Sequence, residues 1–365
     1  MKYYIIAGEP SGDLHGANLM RSILAMDVNA SFRYWGGPHM SDVSDGKVLD
    51  IEETSIMGFG EVVMSLRKIR RFFKLTKESI TDFAPDVVVF IDYPGFNLRM
   101  CKWAKLQGYS TVFYISPQLW AWKKGRKETI RKYVDELLVI LPFEKAWYKK
   151  EGIDAHYVGH PLLEAIAKYS YQKIPTLSSQ KPILALLPGS RKQEIKKMLP
   201  IMLEATSKLE EEYSIIVAGS PNMAATEYDE YLKGFRAIVV PNRAYDVLSQ
   251  ASFALVTSGT ATLETAIHKV PQIVCYKTSP FNYQIGKRLV HLKYISLVNL
   301  ILGYEAIPEL IQSELNPQNI IKSMRIVMSN KSTIAESYST LANMLTTDKP
   351  ASEKAAEIIL KLIKN

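Results

Sequence analysis

Cysteine is scarce in this chain of 365 residues: Cys101 and Cys275 are the only two, they lie far apart, and neither sits in a metal-binding spacing. That argues against a disulfide framework or a cysteine-built zinc site, and both thiols read as buried side chains in a reducing cytoplasm. Long apolar runs are missing too. Nothing approaches the ~18 consecutive apolar residues of a transmembrane helix. The chain opens on a strand, Tyr3–Ile6, rather than on the basic and apolar segments of an export signal, which points to a cytoplasmic protein. No Gly-x-Gly-x-x-Gly follows that strand, which disfavours a nicotinamide dinucleotide enzyme. No loop has the Walker spacing with its lysine, which disfavours a P-loop ATPase. Positive charge, by contrast, is in excess, and the net +8 calls for an anionic partner: nucleic acid, nucleotide phosphate or anionic lipid.

What is present is an alternation. YYIIAG, FRYWGG, DVVVFID, STVFYIS and ELLVIL are short apolar runs separated by amphipathic segments, the first of which repeats Ala17, Met20, Ile23 and Leu24 at helical spacing. The runs do not alternate strictly with polar residues, as expected of parallel strands covered on both faces. A polar, proline-bearing stretch, residues 169–182, reads as a linker. A second alternation follows through ILALLPGS, YSIIVAGS, AIVVP, FALVTS and QIVCY. The expected fold is therefore α/β, two Rossmann-like doubly wound domains over residues 1–170 and 180–345 facing a central cleft. The last helix, about residues 350–365, is expected to pack back on the first domain.

Ligands of such sheets bind beyond the strand C-termini, so the loops there carry the functional reading. LLPGSRKQEIKK ends a strand, turns at Gly189 and Ser190, and opens a helix whose free N–H groups suit an anion, with Arg191 offering a planar fork to phosphate. VTSGTATLETA repeats the geometry with Ser258, Gly259 and Thr260, and sets Glu264 about one turn in, where it can accept from ribose hydroxyls. Two such loops suggest a diphosphate, although each also reads as an ordinary helix cap. VFIDYPGFN puts Asp92 at a strand end, as a general base or as a cap. No second acid stands near enough in that loop for a metal pair, so no metal or cofactor is expected. Ile56–Lys74 mixes apolar residues with Arg67, Lys68, Arg70, Arg71 and Lys74, the pattern of a helix on an anionic membrane surface or of a core helix with a basic outer face. Trp120 and Trp122 beside lysines and arginines also suit nucleic acid, but no nucleic-acid module accompanies them and none is expected as a partner. His160 in VGHP, and His15, stand near strand ends and read either as site residues or as packing and capping groups.

Taken together, AGEPSGD, IDYPGFN, SPQLWAWKKGR, LPFEKAWY, VGHPLLEA, LLPGSRKQEI, TSGTATLE and YISLVNLI, in that order from residue 7 to residue 301, resemble the lipid-A-disaccharide synthase family of GT-B glycosyltransferases. The resemblance spans nearly the whole chain. It implies a peripheral enzyme of the Gram-negative inner membrane that joins UDP-2,3-diacylglucosamine to 2,3-diacylglucosamine 1-phosphate, giving a β-1,6 disaccharide phosphate and UDP by an inverting displacement. It implies acceptor binding or base catalysis at Glu9 and Asp92. In or beside the nucleotide half it implies roles for Arg191, Glu264 and Asn299, with Ser258, Gly259 and Thr260 in the nucleotide loop and Tyr276 near the uracil. His160 is carried as a substrate-binding candidate. The family also forms dimers by exchanging C-terminal segments. Two departures stand out: Gly95 where the family often has a second aspartate, and Val298 where it often has proline. In AGEPSGDLHG, Gly8 and Gly12 make the turn, Glu9 is expected at the acceptor, Asp13 as a helix cap, and His15 has no assigned role. The competing readings are an enzyme like UDP-N-acetylglucosamine 2-epimerase and a non-catalytic protein that binds an anionic ligand.

Overall fold

A computed structural model describes residues 1–55, 62–121, 124–175, 181–280, 283–284 and 292–364. Residues 56–61 of the basic amphipathic segment, and Trp122 and Lys123, lie outside them. The chain divides into two units: Met1–Ala165 with Leu345–Asn365, and Ile166–Met344.

The first unit is a seven-stranded sheet: β1 (Lys2–Ala7), β2 (Ser31–Gly36), β3 (Lys47–Asp50), β4 (Val87–Ile91), β5 (Ser110–Tyr114), β6 (Glu136–Val139) and β7 (His156–Tyr157). Their spatial order is β3-β2-β1-β4-β5-β6-β7 and every pairing is parallel. The lack of polar alternation in the apolar runs has its cause here. Tyr3, Ile5 and Ala7 of β1 join Val87, Val89 and Ile91 of β4 in one core, while Tyr4 and Ile6 join Val88 and Phe90 in another on the opposite face. Both faces are covered, so both sets of side chains are apolar. The first core is closed by the helices Pro10–Met26 and Ala351–Lys364, the latter through Ala355, Ala356 and Ile359. The second takes Phe72 and Ile80 from the helix Val62–Phe83 and Phe96 and Met100 from the helix Pro94–Leu106.

The second unit repeats the plan with six strands: β8 (Ile183–Leu187), β9 (Ser214–Gly219), β10 (Ala237–Pro241), β11 (Ala251–Thr257), β12 (Gln272–Tyr276) and β13 (Glu309–Ile311), in the order β10-β9-β8-β11-β12-β13, again all parallel. In each sheet the order reverses once, between β1 and β4 and between β8 and β11. Those reversals leave a crevice at the strand C-termini. Among the described residues no helix is long and apolar enough to cross a membrane.

Several boundaries differ from the pattern reading. The periodicity of Ala17, Met20, Ile23 and Leu24 predicts a first helix from about Leu14 to Met26; it starts at Pro10, because Pro10 takes N1, where a missing N–H costs nothing and its fixed φ suits the helix. Between YSIIVAGS and AIVVP the alternation predicts a helix near residues 224–232; the segment is a 3-10 turn, Ala225–Tyr228, followed by the four-residue helix Asp229–Leu232. Edge strands β3, β7 and β13 are two to four residues long, too short to register as apolar runs.

Candidate functional site

At the first crevice, Glu9 follows β1 and Asp92 follows β4. Glu9 is exposed and extended, the N-cap of the helix Pro10–Met26. Asp92 and Tyr93 both lie in the left-handed region, with φ of 45° and 48°, a conformation that non-glycine residues rarely hold and that clusters at functional sites. Tyr93 folds its ring across Gly8. A Cβ on Gly8 would stand 2.4 Å from that ring, so only glycine fits there. Asp92 is half-buried. Desolvation pushes its carboxyl up to about 6, the negative charge of Glu9 adds to the rise, and the Tyr93 N–H opposes both. A carboxylate with its pKa near neutrality is suited to take a proton in a reaction. The position a Cβ of Gly95 would fill is open space, so the turn has no second acid and has room for one.

Around this pair the structure assigns roles that spacing does not reveal. Asp13 is buried and accepts from the N–H groups of Gly37 (2.7 Å), His39 (3.0 Å) and Met40 (3.0 Å). It is a cap, but for the short helix Pro38–Ser41 rather than its own. Glu144 is also buried, and its carboxylate gathers Trp120 Nε1 (3.0 Å), Leu141 N (2.9 Å), Ile140 N (3.2 Å) and Ser116 Oγ (3.5 Å), binding the loops after β5 and β6 into one piece. Ile115, which leads into the first of these loops, is itself left-handed at φ 62°. Burial lifts Glu144 to about 7 against those donors. His160 is almost wholly buried, and its Nδ1 accepts from Leu162 N at 3.2 Å, capping the helix Pro161–Ala167. Burial holds it neutral, down at about 3, and His15 beside it at about 4. In this arrangement His160 serves as a capping residue through Nδ1.

At the second crevice, Gly189 turns with φ 123°, and Arg191 is the extended N-cap of the helix Lys192–Thr206. Two of the N–H groups at this turn hold a carboxylate of the chain itself. Glu194 Oε2 accepts from Ser190 N (3.2 Å) and Arg191 N (3.4 Å), and its side chain fills the space beside Gly189. The Arg191 guanidinium is exposed at this loop, 3.8 Å from Glu194 Oε1. The other loop is open. Gly259 (φ 139°) and Thr260 are exposed, with nothing within 4 Å of a Cβ at Gly259, while Ser258 Oγ is tied to Ile295 O at 2.8 Å. One turn on, Glu264 is half-buried, raised to about 7 by desolvation, and receives the Tyr245 hydroxyl at 3.4 Å. Tyr276, at the end of β12, is half-buried; burial raises its pKa and the charge of Glu194 adds to the rise. Asn299 is fully buried and its amide is spent internally: Nδ2 donates to Ile307 O (2.8 Å) and Glu309 Oε1 (2.9 Å), and Oδ1 accepts from Ala306 N (2.8 Å) and Ile307 N (3.1 Å). Asn299 folds the loop that leads to β13, with both ends of its amide engaged there.

Comparison with known proteins decides what kind of protein carries this pair of crevices. The family model described as lipid-A-disaccharide synthetase matches residues 3–363. The lipid-A-disaccharide synthase of Syntrophus aciditrophicus (strain SB) is 38% identical, over 99% of this chain and 97% of that protein. The chain belongs to the lipid-A-disaccharide synthetase family. It is thus a glycosyltransferase, an enzyme that takes a sugar nucleotide and an acceptor. Solved structures agree on the fold. UDP-GlcNAc 2-epimerase from Neisseria meningitidis, bound to UDP-GlcNAc, matches with a TM-score of 0.68 at 14% identity, covering 100% of both chains. The glycotransferase of kitacinnamycin matches with a TM-score of 0.68 at 13% identity, covering 99% of this chain and 98% of that one. The two parallel-sheet α/β units are those of the GT-B type.

Proposed function

We propose that the chain transfers 2,3-diacylglucosamine from its UDP derivative to 2,3-diacylglucosamine 1-phosphate with inversion, releasing UDP and the β-1,6 disaccharide 1-phosphate. The observation that carries this reading is the division of labour between the two crevices of one chain of this family. One presents a carboxylate poised near pH 6, and the other carries an open helix start, an exposed arginine and an acid one turn on. Asp92 accepts the proton of the acceptor 6-hydroxyl. That oxygen bonds to the anomeric carbon as the bond to the diphosphate breaks, and UDP leaves with the electron pair. Arg191 and the N–H groups at Gly259–Thr260 stabilise the charge that develops on the diphosphate. Glu264 accepts from ribose hydroxyls, Tyr276 lies by the uracil, and Glu9 orients the acceptor sugar and keeps Asp92 basic. The helix Val62–Phe83, whose Arg67, Arg70, Arg71 and Lys74 are exposed, rests on the anionic cytoplasmic face of the inner membrane, where acylated substrates reside.

The test is direct. Folded protein is mixed with both acylated substrates in detergent, and the products are read by mass spectrometry and anomeric NMR. A β-linked disaccharide 1-phosphate in one-to-one yield with UDP is expected. UDP-sugar epimerised without consumption of acceptor, or no product, would overturn the reading.

A further inference from the structure

Asp92 and Tyr93 occupy an unfavourable left-handed turn, and something must hold them there. The side chain that does so is Asn97, one turn into the helix Pro94–Leu106 and fully buried. Its Nδ2 lies 2.8 Å from the carbonyl oxygen of Asp92, 3.1 Å from that of Ile91 and 3.4 Å from that of Ile6. Those three carbonyls close β4 and β1, the strands that flank the first crevice. The Asn97 N–H also donates to Tyr93 O at 3.0 Å. One residue therefore ties both strand ends and both strained residues to the start of a single helix. We propose that Asn97 is a positioning residue for the transfer reaction: it holds the Asp92–Tyr93 turn in its left-handed form and so aims the Asp92 carboxylate at the acceptor hydroxyl. It touches no substrate and acts through Asp92. This inference rests on the assignment of Asp92 as the base.

Asn97→Leu keeps the branched heavy-atom skeleton, in a larger side chain, and removes the donor, whereas Asn97→Ser is smaller but keeps one O–H donor. With the full-length protein and both acylated substrates, Asn97→Leu is expected to lower kcat about a hundredfold while leaving both KM values within about threefold, since ground-state binding does not use Asn97. Asn97→Ser recovers part of the loss. The acid limb of kcat moves from near pH 6 toward the ordinary carboxylate range, because a loosened turn hydrates Asp92. If Asn97→Leu does not fold, Asn97→Ser carries the same comparison, with about a tenfold loss in kcat at unchanged KM. A folded variant with wild-type kcat and an unmoved acid limb overturns the proposal. Wild-type protein that forms no disaccharide, or an Asp92→Asn variant that keeps turning over, overturns the functional reading instead.

Discussion

Asp92 and Glu9 stand at adjacent strand ends, and their charges act on each other. Because the Glu9 carboxylate is one of the two influences that lift Asp92 to about 6, turnover is expected to fall below pH 6 as Asp92 takes up a proton. Glu9→Gln removes a like charge, lowers the Asp92 pKa and shifts that acid limb to lower pH, which a kcat/KM profile measures. The second crevice has its own resident charge. Glu194→Gln preserves the capping hydrogen bonds to Ser190 and Arg191, since glutamine also serves at N3, but removes a carboxylate from beside the site assigned to the diphosphate. UDP is expected to bind the variant about tenfold more tightly by calorimetry; weaker binding would mean that Glu194 helps to hold the nucleotide. At this scale the sequence is only partly legible. Asp92, Arg191 and Glu264 announce themselves as charged groups in loops that end apolar runs. Asn97 and Glu144 do not, because their roles depend on carbonyls and donors drawn from distant segments. Asn299 and His160 are only half legible for the same reason: the sequence shows a polar residue near a turn but not the internal partners that engage it.

Among the elements, the strands are readable because both faces of each sheet are buried, which makes the runs continuous and apolar. Helix starts are less so, since Pro10 at N1 and the capping of Pro38–Ser41 by Asp13 depend on geometry that hydrophobic periodicity does not encode. The helix Ala351–Lys364 is the element whose packing is most open to test. Ile359 is fully buried in the core it shares with the helix Pro10–Met26, and the Ser352 hydroxyl donates to Glu164 at 2.8 Å and pairs with Ser22 at 2.9 Å. Ile359→Ala leaves a cavity and is expected to cost about 2–5 kcal/mol, seen as a lower unfolding midpoint in denaturant. A midpoint unchanged within error would mean that this helix adds little to the first unit.

For the whole molecule, one sheet plan used twice provides two crevices with opposite chemical character. The acidic one suits sugar hydroxyls, and the one with Arg191 and an open helix start suits a nucleotide diphosphate. The ordered motifs made the GT-B plan and the family legible, because they fall at strand C-termini along almost the whole chain. The surplus of positive charge is legible both as a number and, in Ile56–Lys74, as a place with two readings, a membrane surface or the outer face of a core helix. Replacing Arg67, Arg70 and Arg71 with Glu tests one place for it, since all three side chains are exposed on the helix Val62–Phe83. Binding to vesicles rich in anionic lipid is expected to fall at least tenfold in a flotation assay, with turnover of detergent-dispersed substrate retained. Undiminished vesicle binding would move the membrane contact elsewhere. The central claim, that the chain is a transferase whose base is Asp92, meets its most direct test in Asp92→Asn. A half-buried carboxyl raised to about 6 from an unfolded value of about 3.9 destabilises the fold increasingly as pH rises between those values, and fully above them. After discounting for partial exposure, the amide should therefore stabilise the protein by about 1–2 kcal/mol at pH 7.5. The decisive measurement is the rate at which that variant forms disaccharide phosphate at pH 7.5. The account predicts a fall of about a thousandfold or more in a protein that melts no lower than wild type, and turnover within a few-fold of wild type would contradict it.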